Sequence, residues 1–274
     1  MERIIIFLIW MISLSFSLPG VKGQEISAIE DSLAKTFNKL DRFTSIEEID
    51  SCHNNFLSHF HQTIQLNESF EYPFKKLEKI GKVTSGDGLV RCYSWNLLTT
   101  DGSYRYFAFI QIQSKQGNKI IFQLNDNPNQ STIPENTKLV PLNWYGALYY
   151  KIFHVPNKEK DQYILLGWDG NNNRSMKKII DVLEIHPDQT ISLGAPIFVE
   201  NNQVKHRKVF EYSSKGKMTL TYHKKTKRIV FDHLVPIHPR YKGIFEFYGP
   251  DYSFDSYIWD NAHWIFKSNI NPDK

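Results

Sequence analysis

The chain has 274 residues, is 41% hydrophobic and 14% aromatic, and carries a formal charge of +4. With 12 prolines and 14 glycines it is neither collagen-like nor low-complexity, and it is too apolar for wholesale disorder. So small a positive charge leaves no nucleic-acid footprint, and nucleic acid is not an expected partner.

The chain opens with a short polar segment, Met1-Glu2-Arg3, and then an uncharged apolar run from Ile4 to Leu18. Pro19-Gly20 should break a helix there, and Val21-Lys22-Gly23 offers small residues at a cleavage point. This three-part layout is that of a secretory signal peptide covering 1–23. The apolar run is short of the roughly 20 residues that a membrane span needs, so no stable span is expected after cleavage. The sequence thus reads as exported: periplasmic, at the cell surface or secreted.

Residues 24–80 read as helical. Ile26, Ile29, Leu33, Phe37 and Leu40 recur on one helical face. Ser45-Ile46-Glu47-Glu48 has the form of a capping box and starts a second helix of about five turns. Phe74 to Ile80 suggests a third. A unit this small is marginal alone, which favours helices packed on the following region as one domain.

From Gly81 to the end, residues 81–274, the texture is of strands. Expected strands are Val90–Leu98, Tyr104–Gln113 and Lys119–Leu124, then, after a polar loop at 125–137, Tyr145–Val155, Tyr163–Trp168, Met176–His186 and Thr190–Phe198. Arg207–Tyr212, Met218–His223, Arg228–Val235, Gly243–Tyr248, Phe254–Trp259 and His263–Phe266 complete the set. Short connections favour antiparallel pairing. The stretches 81–124, 144–198 and 205–267 look loosely alike, and three such units are too few to close a propeller. The expected fold is α+β: N-terminal helices on a predominantly antiparallel β region, built as a sandwich or curved sheet, with an incomplete propeller-like meander as the alternative.

Chemistry-bearing patterns are sparse. Cys52 and Cys92 lack CxxC spacing, so they make no zinc or thioredoxin-type site. They are either a disulfide worth about 4 kcal/mol in the chain-entropy model or two separate buried thiols. His59 and His61 stand on opposite sides of a helix and cannot chelate together. Asp169-Gly170-Asn171-Asn172-Asn173 starts like a calcium loop, but Arg174 and Ile180 occupy the positions that need Gly and Glu; a hairpin turn fits better. Trp168 beside Asp169 is a candidate sugar-stacking platform. Tyr248, Asp251 and Asp255 lie in the densest aromatic segment, where Glu246, Asp251 and Asp255 could supply the paired carboxylates of a glycosidase. The plain alternative is a hairpin turning at Gly249-Pro250-Asp251. Asp232 cannot orient its neighbour His233, because adjacent strand residues face opposite ways. Lys224-Lys225-Thr226-Lys227-Arg228 reads as a solvated hairpin turn. No nucleotide-binding or nucleophile-elbow motif occurs, and no catalytic residue, metal or cofactor is expected.

The pieces Val90-Arg91-Cys92-Tyr93-Ser94-Trp95, Tyr163-Ile164-Leu165-Leu166-Gly167-Trp168-Asp169 and Phe247-Tyr248-Gly249-Pro250-Asp251 resemble those of uncharacterised exported bacterial proteins of the Bacteroidota type. The resemblance implies an envelope setting and no particular chemistry. The expected function is a non-catalytic cell-envelope binding or organising protein, with a glycan or an envelope protein as partner. The alternative is a secreted glycosidase-like hydrolase.

Overall fold

Pro19 and Gly20 lie at the start of the described part of the first helix. Helix α1 runs Pro19–Lys39. The computed structural model describes residues 19–114, 119–127, 132–155 and 161–272, with side chains from Glu25 onward. The apolar run Ile4–Leu18 therefore lies outside the described residues, and the expected cleavage point after Gly23 falls within α1. The chain divides into two compact units, Met1–Leu77 and Glu78–Lys274.

In the first unit, α1 buries Ile26, Leu33 and Phe37, the stripe expected from their spacing. Helix α2 spans Ile46–Gln65 and is capped by Ser45, whose Oγ accepts the Glu48 N–H at 3.1 Å. Its Phe56 ring meets Phe37 edge-on at 4.8 Å and stacks on Phe60 at 5.6 Å. The expected helix at Phe74–Ile80 does not form. Phe74 follows Pro73 with a φ of 47°, a left-handed conformation that no helix accepts. The Lys76 N–H is bonded instead to Glu30 Oε1 at 2.6 Å.

The second unit contains β1(Gly81–Thr84), β2(Val90–Leu98), β3(Tyr104–Gln113), β4(Lys119–Asn125), β5(Leu148–Val155), β6(Asp161–Asp169), β7(Ser175–Ile185), β8(Ile191–Leu193), β9(Phe198–Glu200), β10(Gln203–Lys205), β11(Lys208–Ser213), β12(Leu220–His223), β13(Arg228–Pro236), β14(Tyr248–Trp259) and β15(Trp264–Lys267). They form three sheets, ordered β1-β2-β3-β4, β11-β7-β6-β5 with β8 also on β7, and β10-β9-β15-β14-β13-β12. The pairings are antiparallel except that of β15 with β9. The α+β, sandwich-like architecture is thus the one expected. The three look-alike stretches supply one sheet each, with one exchange. Strands β9 and β10, which follow the middle stretch from its last residue onward, join the last sheet, while β11 of the third stretch joins the middle sheet.

The middle sheet is buried on both faces. One core sets Cys92, Ala108, Ile110 and Leu124 of the first sheet against Tyr163, Leu165, Ile179 and Leu183. The other sets Ile164, Leu166, Ile180 and Val182 against Ile229, Phe231, Tyr257 and Trp264. This explains the unbroken apolar run in β6, since a strand covered on both sides has no polar face to alternate with. A register shift between Tyr149 and Lys151 lets Tyr149 and Ile152 both serve the first core.

Further expectations need correction. Thr190–Phe198 is not one strand: Gly194 (φ 89°) turns the chain between β8 and β9. Gly243–Tyr248 is mostly a short 3-10 turn at Phe245–Phe247. Gly249-Pro250-Asp251 is no turn but part of β14, with Pro250 opposite Leu234. The proline is tolerated because β15 pairs only with Ser256–Trp259, so β14 is an edge at that point. Finally, Cys52 and Cys92 are both free. Cys52 Sγ lies 3.4 Å from the Thr36 carbonyl, and Cys92 is sealed within the first core, where burial pushes its thiol pKa up. The disulfide reading gives way to two thiols.

Candidate functional site

The β6–β7 hairpin is built by its own polar side chains. Asp169 Oδ1 accepts the Tyr106 hydroxyl at 2.8 Å and the Asn171 N–H at 2.7 Å. Lys177 Nζ bonds Asn171 Oδ1 at 2.8 Å and lies 3.7 Å from Asp169 Oδ2. Burial, opposed by Lys177 and the hydrogen bonds, raises the Asp169 pKa above the usual carboxylate range. Asn171 has a φ of 49°, so the Asp-Gly-Asn run is the hairpin turn that its composition suggested. Trp168 is no free platform. It is half-buried and packed edge-on against Tyr104 at 6.1 Å.

Beyond this base the hairpin tip reaches the turn after β11. The Ser214 N–H bonds the Arg174 carbonyl and Ser214 Oγ the Asn173 carbonyl, both at 2.9 Å. A groove of about 480 Å³ opens here. One wall is Asn173 and Arg174, with Ser213, Ser214 and Lys215; the other is Ile237 and Glu246 to Tyr248. Arg174 Nε approaches Glu246 Oε2 at 3.9 Å across it. The Tyr248 hydroxyl accepts the Gly243 N–H at 2.9 Å, and Phe247 stacks on Tyr241 at 4.1 Å. The aromatic wall is therefore fixed by contacts of its own.

Asp251 and Asp255 lie further along β14, outside the groove lining. Exposed Asp251 accepts from Ser253 N and Oγ, at 3.0 and 2.7 Å, and the serine hydroxyl holds its pKa low. Asp255 is buried. Its Oδ2 is 2.7 Å from His233 Nδ1 and its Oδ1 accepts the Asn269 N–H at 3.0 Å. His233 thus has a carboxylate partner, found across the sheet and not at Asp232, which accepts the Thr219 N–H at 2.7 Å. The cause is an irregularity: β13 and β14 pair at Asp232–Phe254 and next at Leu234–Pro250, so His233 stands opposite three residues. At the centre of those three, Tyr252 has a φ of 70° and is 94% exposed. The expected residues thus occupy three places: Trp168 and Asp169 form the base of the hairpin, Tyr248 walls the groove, and Asp251 and Asp255 flank the bulge.

Sequence reasoning missed the groove, because its walls come from three separated segments that no spacing links. It also missed Arg207, which lay within a basic run and is fully buried. Among the described residues no cluster of His, Cys, Asp and Glu could hold a metal ion, and no helix is long and apolar enough to cross a membrane. A second cavity, of about 520 Å³, lies between α1 and α2 and is lined by apolar Ala28, Ile29, Leu33 and Leu66 together with polar residues that include Glu25 and His59. No protein-family model, curated protein or solved structure matches the chain, and its function has to be argued from this geometry.

Proposed function

We propose that the protein is an exported, non-catalytic binding protein of the cell envelope, and that it takes a glycan in the groove between the β6–β7 hairpin and the start of β14. The observation that carries this reading is the pairing of opposed walls. Phe247 and Tyr248 offer ring faces for the apolar face of a sugar, while Asn173, Arg174, Ser213, Ser214 and Lys215 offer hydrogen bonds to its hydroxyls. A small number of placed polar groups beside an apolar wall is what fixes the orientation of a small ligand. The N-terminal sequence supports export, and with it an envelope or extracellular setting.

The hydrolase alternative needs two carboxylates facing one bond. Glu246 is the one carboxylate among the residues lining the groove, and it faces Arg174. Asp251 is engaged by Ser253 and Asp255 by His233. Binding is therefore the better-supported reading.

The test is calorimetric titration with a panel of neutral and acidic oligosaccharides, using the parent protein, Tyr248→Ala and Arg174→Ala. Loss of a charged hydrogen bond is worth about 1.5–3 kcal/mol, so Arg174→Ala should weaken binding at least tenfold. Lys224→Ala, on the exposed β12–β13 turn, should leave it unchanged. If no saccharide binds, or if Tyr248→Ala binds as the parent does, the reading is wrong. Turnover of a saccharide that is lost in Glu246→Gln would move the assignment to the hydrolase.

A further inference from the structure

Between β13 and β14 the chain makes an excursion, residues 237–247, of which Ile237, Glu246 and Phe247 line the groove while residues 238–245 do not. Its base is closed by the Ile237 N–H on the Phe247 carbonyl at 2.9 Å. Inside, Pro239–Tyr241 and Phe245–Phe247 are 3-10 turns, and Gly243 takes a φ of 85°. Tyr241 stacks on Phe247 at 4.1 Å, and the Arg240 guanidinium lies 4.6 Å from the Tyr241 ring centroid. The segment is thus held by its own rings and backbone.

That order makes its surface informative. Ile237 is 73% exposed, Ile244 46% and Phe245 42%. Among them stand His238, Arg240 and Lys242, all exposed. The one carboxylate of the excursion, Glu246, is turned toward Arg174. Apolar side chains and cations therefore alternate on a pre-shaped loop whose carboxylate, Glu246, lines the groove and faces Arg174.

Three partners can be compared on chemistry. A glycan would use the cations but gives no return for three exposed aliphatic and aromatic side chains. The centre of a protein interface is depleted in lysine and other charged residues. An anionic bilayer uses both kinds of group: apolar tips enter the boundary between headgroups and acyl chains while cations stay among the phosphates. We infer that residues 237–245 dock on the surface of an anionic lipid bilayer, inserting Ile237, Ile244 and Phe245 and placing Arg240 and Lys242 at the phosphate level. The contact is peripheral and needs no spanning segment; it shares Ile237 with the groove lining, whereas Arg240, Lys242, Ile244 and Phe245 lie outside it.

Co-sedimentation of the protein, purified after export, with vesicles tests this. One set is phosphatidylcholine with an equal part of phosphatidylglycerol, the other phosphatidylcholine alone. The parent should bind the first set, release as salt is raised from 0.1 to 0.5 M, and bind the second weakly. Each cation near such a surface is worth about fivefold in partitioning, so Arg240→Gln with Lys242→Gln should lose about twenty-five-fold. Ile244→Ser with Phe245→Ser should lose tenfold or more. Both pairs are at the surface, and unchanged thermal unfolding would show that they fold. Arg174→Ala, which removes a groove contact and lies outside the excursion, should bind vesicles as the parent does, which separates this outcome from failure of the glycan reading. Equal binding to both vesicle sets, or vesicle binding unchanged in both excursion variants, overturns the inference. So does binding to a soluble anionic polysaccharide that abolishes vesicle binding without needing Ile244 and Phe245.

Discussion

Arg207 is the side chain whose removal should be felt most. It and Asp181 are both 0% exposed, on the side of the middle sheet that faces the first core. Arg207 Nε donates to Asp181 Oδ1 at 3.1 Å, Nη1 to the Thr137 carbonyl at 2.8 Å and to the Pro134 carbonyl, and Nη2 to the Leu193 carbonyl at 2.9 Å. Asp181 also accepts the Tyr145 hydroxyl at 2.7 Å and the Val182 N–H at 2.8 Å. One guanidinium therefore ties the polar stretch 134–137 and the end of β8 to the middle sheet. Arg207→Ala leaves a buried carboxylate without its counter-ion, which costs about 3–5 kcal/mol. Against a total stability of about 5–15 kcal/mol, that should take a large part of the folded state's margin. Replacing both charges, as Arg207→Met with Asp181→Leu, removes the desolvation penalty along with the attraction and should recover at least about 2 kcal/mol. Urea unfolding followed by tryptophan fluorescence measures both. A loss below about 1 kcal/mol in Arg207→Ala, or simple additivity of the two single variants, would show that the pair does not anchor the fold.

Tyr252→Gly should raise stability by about 1 kcal/mol in thermal unfolding, since it relieves a left-handed backbone while removing a ring that is 94% exposed. Gly194→Ala should destabilise by more than about 1 kcal/mol, because the new Cβ would sit 2.5 Å from Arg207 Nη2 at a φ of 89°. His206 has its pKa lowered by burial, helped by the charges of Arg207 and Lys138. The unfolded chain therefore takes up a proton near pH 6.5 that the folded one refuses, and stability should fall as pH drops below about 6.5. His206→Asn should flatten that part of the stability curve, and an unchanged slope would refute the assignment.

Where hydrophobic period and turn chemistry agreed, the sequence was readable. The stripe from Ile26 to Leu40 became α1, and Val90–Leu98 and Tyr104–Gln113 became β2 and β3 with the expected bounds. Register and sheet membership were not readable. Strands β9 and β11 carry the same alternation whether they stay with their stretch or cross to the next sheet, and only the packed layers decide. Gly249-Pro250-Asp251 carries strong turn chemistry, yet it lies in a strand because β14 is an edge there. His233 was weighed against its chain neighbour, while the irregular pairing gave it Asp255 from 22 residues away. A basic run such as Lys205 to Lys208 normally means solvent, and nothing local marks Arg207 as the one buried member.

The two long connections of the β unit have opposite chemistries, and the contrast separates folding from recognition. The first, after β4, is tied at both ends to the layers. The Trp144 N–H donates to the Asn125 carbonyl and the Trp144 carbonyl accepts the Asn127 N–H, Leu139 pairs with Leu193, the Glu135 carbonyl accepts the His206 N–H, and Arg207 grips two carbonyls. These groups are spent on the fold, so substitutions at them should register as stability, although Val140 and Leu142 of the same connection are exposed. The second, 237–247, is closed on itself by stacked rings and leaves Ile237, Ile244 and Phe245 in water. Exposed apolar surface held in a fixed shape contributes nothing to the isolated fold that solvent does not already oppose. If the loop docks on a bilayer as proposed, substitutions at Ile244 and Phe245 should leave unfolding unchanged and register in vesicle binding.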